Sequence, residues 1–128
     1  MHKKGFVMVF LLVFIMGAFG YGALEIIWRG FTHWTMMLVG GICFSLIYTF
    51  YCLNFEINII WKCVIAASLI TAVELVSGYI LNIKLKMDIW DYSYLPLNFH
   101  GQICLPYSVL WFALSSILFK LCEFIGPF

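Results

Sequence analysis

Charge is what this sequence has least of. Seven Lys and Arg and six Asp and Glu are spread over 128 residues, which leaves a formal net charge of +1. No cluster of basic residues and no platform of aromatics among them is present, so nucleic acid binding is excluded. The five cysteines, Cys43, Cys52, Cys63, Cys104 and Cys122, form no CxxC and no Cys/His pattern of metal-ligand spacing, so no metal or other cofactor is expected. They read as small apolar packing residues. Neither HExxH nor GxSxG occurs, which sets an enzyme behind the other function classes. Internal repeats, low-complexity tracts and linkers long enough to separate domains are missing too, and residues 1–128 read as one domain.

What fills the chain instead is hydrophobic: 65% of it, with a mean hydropathy of +1.05, far from the balance of a water-soluble domain. A helical span needs roughly 20 predominantly apolar residues. Four stretches supply that length: 5–24 and 101–119 without a charge, 30–55 without Asp, Glu, Lys or Arg, and 63–83 with one acid. The expected fold is all-α, a polytopic membrane protein of four transmembrane helices in a single domain. Lys3-Lys4, an apolar run and Ala18-Phe19-Gly20 together allow a cleaved signal peptide, but the run continues through Leu24 and reads better as a span. Small residues four apart, Ala18 with Gly22 and Gly41 with Ser45, mark helix-packing seams.

Orientation follows Lys and Arg on short loops. With four spans, Lys3, Lys4, Lys62 and Lys120 share one face, and Arg29, Lys84 and Lys86 the other. The excess places both termini in the cytoplasm of a cell-membrane protein. The same alternation puts Glu25, Arg29 and His33 on one membrane face with Asp88, Asp91, Asn98 and His100, so polar chemistry is expected there.

Glu74 stands apart from that cluster. It precedes Lys84 by ten residues, about 15 Å along a helix at 1.5 Å per residue, which sets it near mid-membrane. An ionisable group there is costly, by about 2.5–3.5 kcal/mol on insertion scales, and normally faces a partner or cavity. A hydrogen bond to a neighbouring helix and a role in handling substrate or protons both fit. Glu25 and Arg29, at i and i+4, read either as an interfacial ion pair ending the first helix or as site residues. His33 reads as an interfacial histidine.

Residues 88–106, DIWDYSYLPLNFHGQICLP, are too apolar for bulk water and too interrupted for a span. Non-helical backbone at membrane depth must be buried in protein or line a wet cavity, so the segment is expected to cap the bundle or re-enter it between the third and fourth helices. Asp91 and Asn98 can hold its turns by accepting backbone hydrogen bonds. Pro106 suits the first turn of the last helix. Asp91 is further expected to pair with Arg29 and so fasten the segment down.

WDYS at 90–93, the run NFHGQICLPYSVLW at 98–111 and Glu74 on a hydrophobic helix together resemble the bacterial CmpB-like family of "type IV" ABC-transporter permeases, over about residues 15–115. The resemblance implies a transport-related integral membrane protein. Three function classes follow. In the first, a permease-like or substrate-binding membrane subunit holds a polar cavity under 88–106, lined from Glu25, Arg29, Glu74, Asp88, Asp91, Asn98 and His100. The second is a non-catalytic structural or accessory protein, as a homo-oligomer or within a larger membrane complex. The third is a membrane-embedded enzyme working at lipid head-group level.

Overall fold

The computed structural model describes the backbone of residues 3–127 and the side chains of residues 5–127. The side chains of Lys3 and Lys4, which enter the orientation count, lie outside the described residues. Four helices carry the chain: α1 Lys3–Arg29, α2 Trp34–Cys52, α3 Ile59–Gly78 and α4 Leu105–Ile125. A π-helical turn, Tyr79–Lys84, prolongs α3, so the third span runs Ile59–Lys84. All four spans are long and apolar enough to cross a membrane. The chain is thus a small multi-pass membrane protein of all-α class. Between α3 and α4 stands one small antiparallel pair, β1 Asn98–Phe99 with β2 Ile103–Cys104, in the register Asn98 to Cys104 and Phe99 to Ile103.

The helices begin and end where local chemistry dictates. Gly30, at φ +85°, donates its N–H to the Ile26 carbonyl at 2.8 Å and closes α1 in the left-handed conformation that glycine adopts at least cost. His33 then caps α2, its Nδ1 accepting the Thr35 N–H at 3.2 Å. The apolar run 30–55 is therefore helical only from Trp34 to Cys52, because its first residues are spent on the turn. Asn58 caps α3, with Oδ1 accepting the Ile60 N–H at 2.7 Å.

The chain divides into two compact units: one holds the chain up to Glu56 together with that from Leu118 onward, the other Ile57–Ile117. In the first unit α1 and α2 meet through glycine. A Cβ on Gly17 would lie 2.7 Å from both the Gly40 carbonyl oxygen and Phe44 Cβ, and one on Gly40 would lie 2.6 Å from Tyr21 Cβ. Such contact needs a missing side chain on each helix. Of the two expected seams, Gly41 sits against the Phe14 ring and Ala18 is buried, but the closest approach belongs to Gly17 and Gly40. The Ser45 hydroxyl turns back to the Gly41 carbonyl of its own helix at 2.8 Å. The end of α4 joins this unit through Tyr48, which is fully buried and donates its hydroxyl to the Gly126 carbonyl at 2.7 Å.

In the second unit, Cys63, Ala66, Ala67, Ile70, Glu74 and Gly78 form the buried face of α3. Their spacing of three and four keeps them on one side of a 3.6-residue helix. An acid thus occupies a position in an otherwise apolar or small-residue line.

Candidate functional site

Glu74 is only 5% exposed, and its two oxygens meet donors from different parts of the second unit. Oε1 accepts the indole Nε1–H of Trp111, on α4, at 2.8 Å. Oε2 accepts the hydroxyl of Tyr92, in the segment between α3 and α4, at 3.1 Å. Both donors are themselves buried. Tyr92 stacks on Tyr107, with centroids 4.7 Å apart and planes 11° apart, and the Tyr107 and Trp111 centroids are 5.9 Å apart. A hydrogen-bonded carboxylate inside an aromatic cluster is what a costly mid-span acid requires. One turn N-terminal on each helix, the Thr71 and Ser108 hydroxyls hydrogen-bond to each other at 2.9 Å.

The segment reaches Glu74 because its backbone is tied in several places. Asp91 Oδ1 accepts the Ser93 N–H at 2.9 Å, and Asn98 Oδ1 accepts the Gly101 N–H at 3.1 Å, while its Nδ2 donates to the Leu95 carbonyl at 2.9 Å. His100 at φ 54° and Gly101 at φ +72° are both left-handed, and the Gln102 N–H closes the turn on the Phe99 carbonyl at 3.0 Å. The Tyr92 N–H donates to the Gly101 carbonyl at 2.7 Å and fixes the hairpin against the WDYS stretch.

Two residues that the sequence reading passed over hold this assembly to the third span. Gln102, 5% exposed, receives the Asn82 Nδ2–H on Oε1 at 2.8 Å and donates its own Nε2–H to the His100 carbonyl at 2.9 Å. Its backbone carbonyl accepts the Trp90 indole N–H at 3.0 Å. Asn82 in turn accepts the Ile89 N–H on Oδ1 at 2.7 Å. Between Glu74 and Asn82 lies Gly78, where an added Cβ would sit 2.5 Å from Gln102 Oε1, so the amide side chain occupies the room the glycine leaves. A partial signal was present in the sequence: Glu74 and Gly78 stand four residues apart on one face of α3, and Asn82 follows four residues later in the π-helical turn.

The candidate residues named from sequence fall into separate places. Glu25, 6% exposed, belongs to the first unit, where its carboxylate accepts the Thr32 hydroxyl at 2.8 Å and the Tyr21 hydroxyl at 3.2 Å. Arg29 belongs to that unit too, its guanidinium carbon 4.6 Å from the Phe31 ring centroid, and its charge at the end of α1 complements the helix dipole. Asp91 and Asn98 are turn-formers as expected, but Asp91 is exposed. Hydrogen bonds from Ser93, first from its backbone, hold the Asp91 carboxyl below the usual aspartate range. His100 is exposed, with its ring 4.4 Å from that of Phe99. Asp88 is exposed at φ 53°. Only Glu74 among the seven lies at the centre of the buried polar assembly of the second unit. Cys104 is buried, and burial pushes its thiol up, as for a packing cysteine.

A family model described as "Putative ABC-transporter type IV" matches residues 12–126. No solved structure matches the chain.

Proposed function

The chain belongs to that ABC-transporter type IV family, and from this premise we propose that it is a permease-like, substrate-binding membrane subunit in which Glu74 is the ligand-receiving group and residues 88–104 its lid. The observation that supports this reading is the hydrogen bond from Tyr92 to Glu74. A segment outside the helices contributes one of the two donors to a carboxylate buried in a span. Lifting that segment would withdraw the hydroxyl and leave one carboxylate oxygen to a solute. The same movement would open a path from the membrane face to the acid. Both termini lie in the cytoplasm on this reading, which a reporter fused after Phe128 and assayed for its compartment would check.

The test uses the purified full chain and a panel of solutes screened by ligand-induced shift of melting temperature. At least one solute is expected to stabilise the wild type and to lose its effect in Glu74→Gln. If every stabilising solute acts equally on both proteins, Glu74 is a packing residue. A second reading, a structural or accessory subunit within a larger membrane complex, draws on the fact that each Glu74 oxygen already has a donor. Under it Glu74 and the segment only fasten α3 to α4.

A further inference from the structure

We propose that the 88–104 segment is seated in the bilayer itself, with Tyr94, Leu97 and Phe99 against phospholipid acyl chains just beneath the head groups. This seat does not depend on what Glu74 receives.

The heights of α3 and α4 point to it first. Thr71 meets Ser108 and Gly78 meets Gln102, so the chain descends through 102–108 as it climbs from 71 to 78. Leu105, where α4 begins, stands three residues above Ser108, about 4.5 Å at 1.5 Å per residue, whereas Gly78 stands seven above Thr71, about 10.5 Å. The third span thus passes the start of α4 by about 6 Å, and a π-helical turn of six residues carries it further. The segment occupies this height. Its Leu97 carbonyl accepts the Leu105 N–H at 3.3 Å, and its Gln102 accepts a hydrogen bond from Asn82 in the π turn.

At the same height the third span has a lipid-facing surface. Val76, Tyr79, Ile80 and Ile83 are exposed on it, and the first charge after Glu74 is Lys84. Acyl chains that cover this face reach the level of the segment, where Tyr94 is 76%, Leu97 73% and Phe99 49% exposed. Leu97 has φ 54°, a left-handed conformation that leucine adopts at a cost and glycine or asparagine takes more readily. Neither its backbone nor packing within the described residues calls for leucine there, whereas a lipid contact does.

The backbone meets the condition for such a seat, since non-helical chain at membrane depth must satisfy its own polar groups. The Ile89 N–H goes to Asn82, that of Ser93 to Asp91, that of Tyr92 to the Gly101 carbonyl and that of Leu95 to the Tyr92 carbonyl. Lys84, Lys86, Asp88 and Asp91 are exposed, which sets the depth at the head-group boundary and no deeper. Tyr94 suits that boundary. Two charges of each sign offset one another, so zwitterionic lipid suffices.

The experiment reconstitutes the full chain in phosphatidylcholine vesicles, with an environment-sensitive fluorescent amino acid incorporated singly at Leu97, at Tyr94 or, as the lipid-facing reference, at Val76. Because all three positions are exposed, the melting temperatures should stay near that of the wild type. Lipid brominated near the carbonyl end of its acyl chains should remove about half or more of the emission at Leu97 and Tyr94, and more than lipid brominated near the methyl end does. Iodide added to the buffer should quench both probes less than it quenches the free fluorophore. Quenching by iodide without quenching by bromine would place the segment in water. Protection from both quenchers would mean that protein covers it, a second copy or another subunit. Either result overturns the proposal.

Discussion

The hydroxyl of Tyr92 lies 3.1 Å from Oε2 of Glu74, eighteen residues before it in sequence. A loop side chain thereby serves a carboxylate in the middle of a span, and the pair couples the fold of the 88–104 segment to the packing of α3.

Removing either donor should be measurable as stability. Tyr92→Phe leaves Oε2 without that hydroxyl in a buried site, at a cost of about 1–3 kcal/mol. Glu74→Leu should cost more, since it leaves both the Tyr92 hydroxyl and the Trp111 indole N–H without this acceptor, while Glu74→Gln retains an acceptor oxygen and should cost less. In unfolding of the detergent-solubilised protein, Tyr92→Phe combined with Glu74→Leu should destabilise by less than the two single effects added. Strict additivity would mean that the bond contributes nothing.

Gly78 and Gln102 form a second testable couple. A methyl at position 78 would lie 2.5 Å from Gln102 Oε1 and 2.9 Å from Gln102 Cβ, so Gly78→Ala must displace the amide and break its hydrogen bond with Asn82. Destabilisation of about 1–3 kcal/mol is expected, as for other overpacked sites. Gln102→Ala introduced into Gly78→Ala should recover part of the steric cost. Melting curves of the four proteins decide it, and equal effects of Gly78→Ala with or without Gln102 would refute the steric account.

The glycines of α1 should divide sharply. Gly17→Ala places a methyl 2.7 Å from the Gly40 carbonyl, which is backbone and cannot swing aside, so α1 and α2 must separate. Nothing lies within 4 Å of a Cβ at Gly20, and Gly20→Ala should be neutral or should stabilise by up to about 1 kcal/mol through helix propensity. Thermal unfolding of the two variants side by side tests this.

Four spans were legible because long uncharged apolar runs have few alternative fates. Glu74 was legible for the complementary reason, since an acid inside such a run must have a partner. The partners were not. Trp111 and Tyr92 look like interfacial aromatics in one dimension, and their donor groups find Glu74 only after the segment has folded back on α3. The hairpin escaped because two-residue strands leave no alternation to read, and because the apolar run from Gly101 hid the fact that α4 starts at Leu105. Gln102 lay inside the run that carried the family resemblance, yet a glutamine beside a glycine gives no hint that it fills the gap at Gly78.

Acid should loosen the turn at Asp91 before it affects the spans. The carboxyl is held below its usual range by Ser93, so its contribution is complete above the unfolded-state value and is lost as pH falls through the folded one. Exchange of the Ser93 amide hydrogen, corrected for intrinsic rate, should accelerate across that acidic window in the wild type. In Asp91→Asn, which keeps an acceptor oxygen but cannot ionise, this pH dependence should be flat. Parallel profiles would assign the effect to another group.

The wide turn at Tyr79–Lys84, where the Leu85 N–H bonds to the Ile80 carbonyl five residues back at 2.9 Å, sets the bearing at which the 88–104 segment leaves the third span. Along an ordinary helix one residue adds about 1.5 Å of height and about 100° of rotation; a π turn winds more residues into each revolution. Asn82 therefore points along a heading that a uniformly wound continuation of α3 would not give it. A single-residue deletion in the α-helical part of the span would lower the segment by only about 1.5 Å, yet would swing it by about 100°. For this span, the azimuth at which the chain leaves the helix is a tighter constraint on sequence length than the distance it must travel.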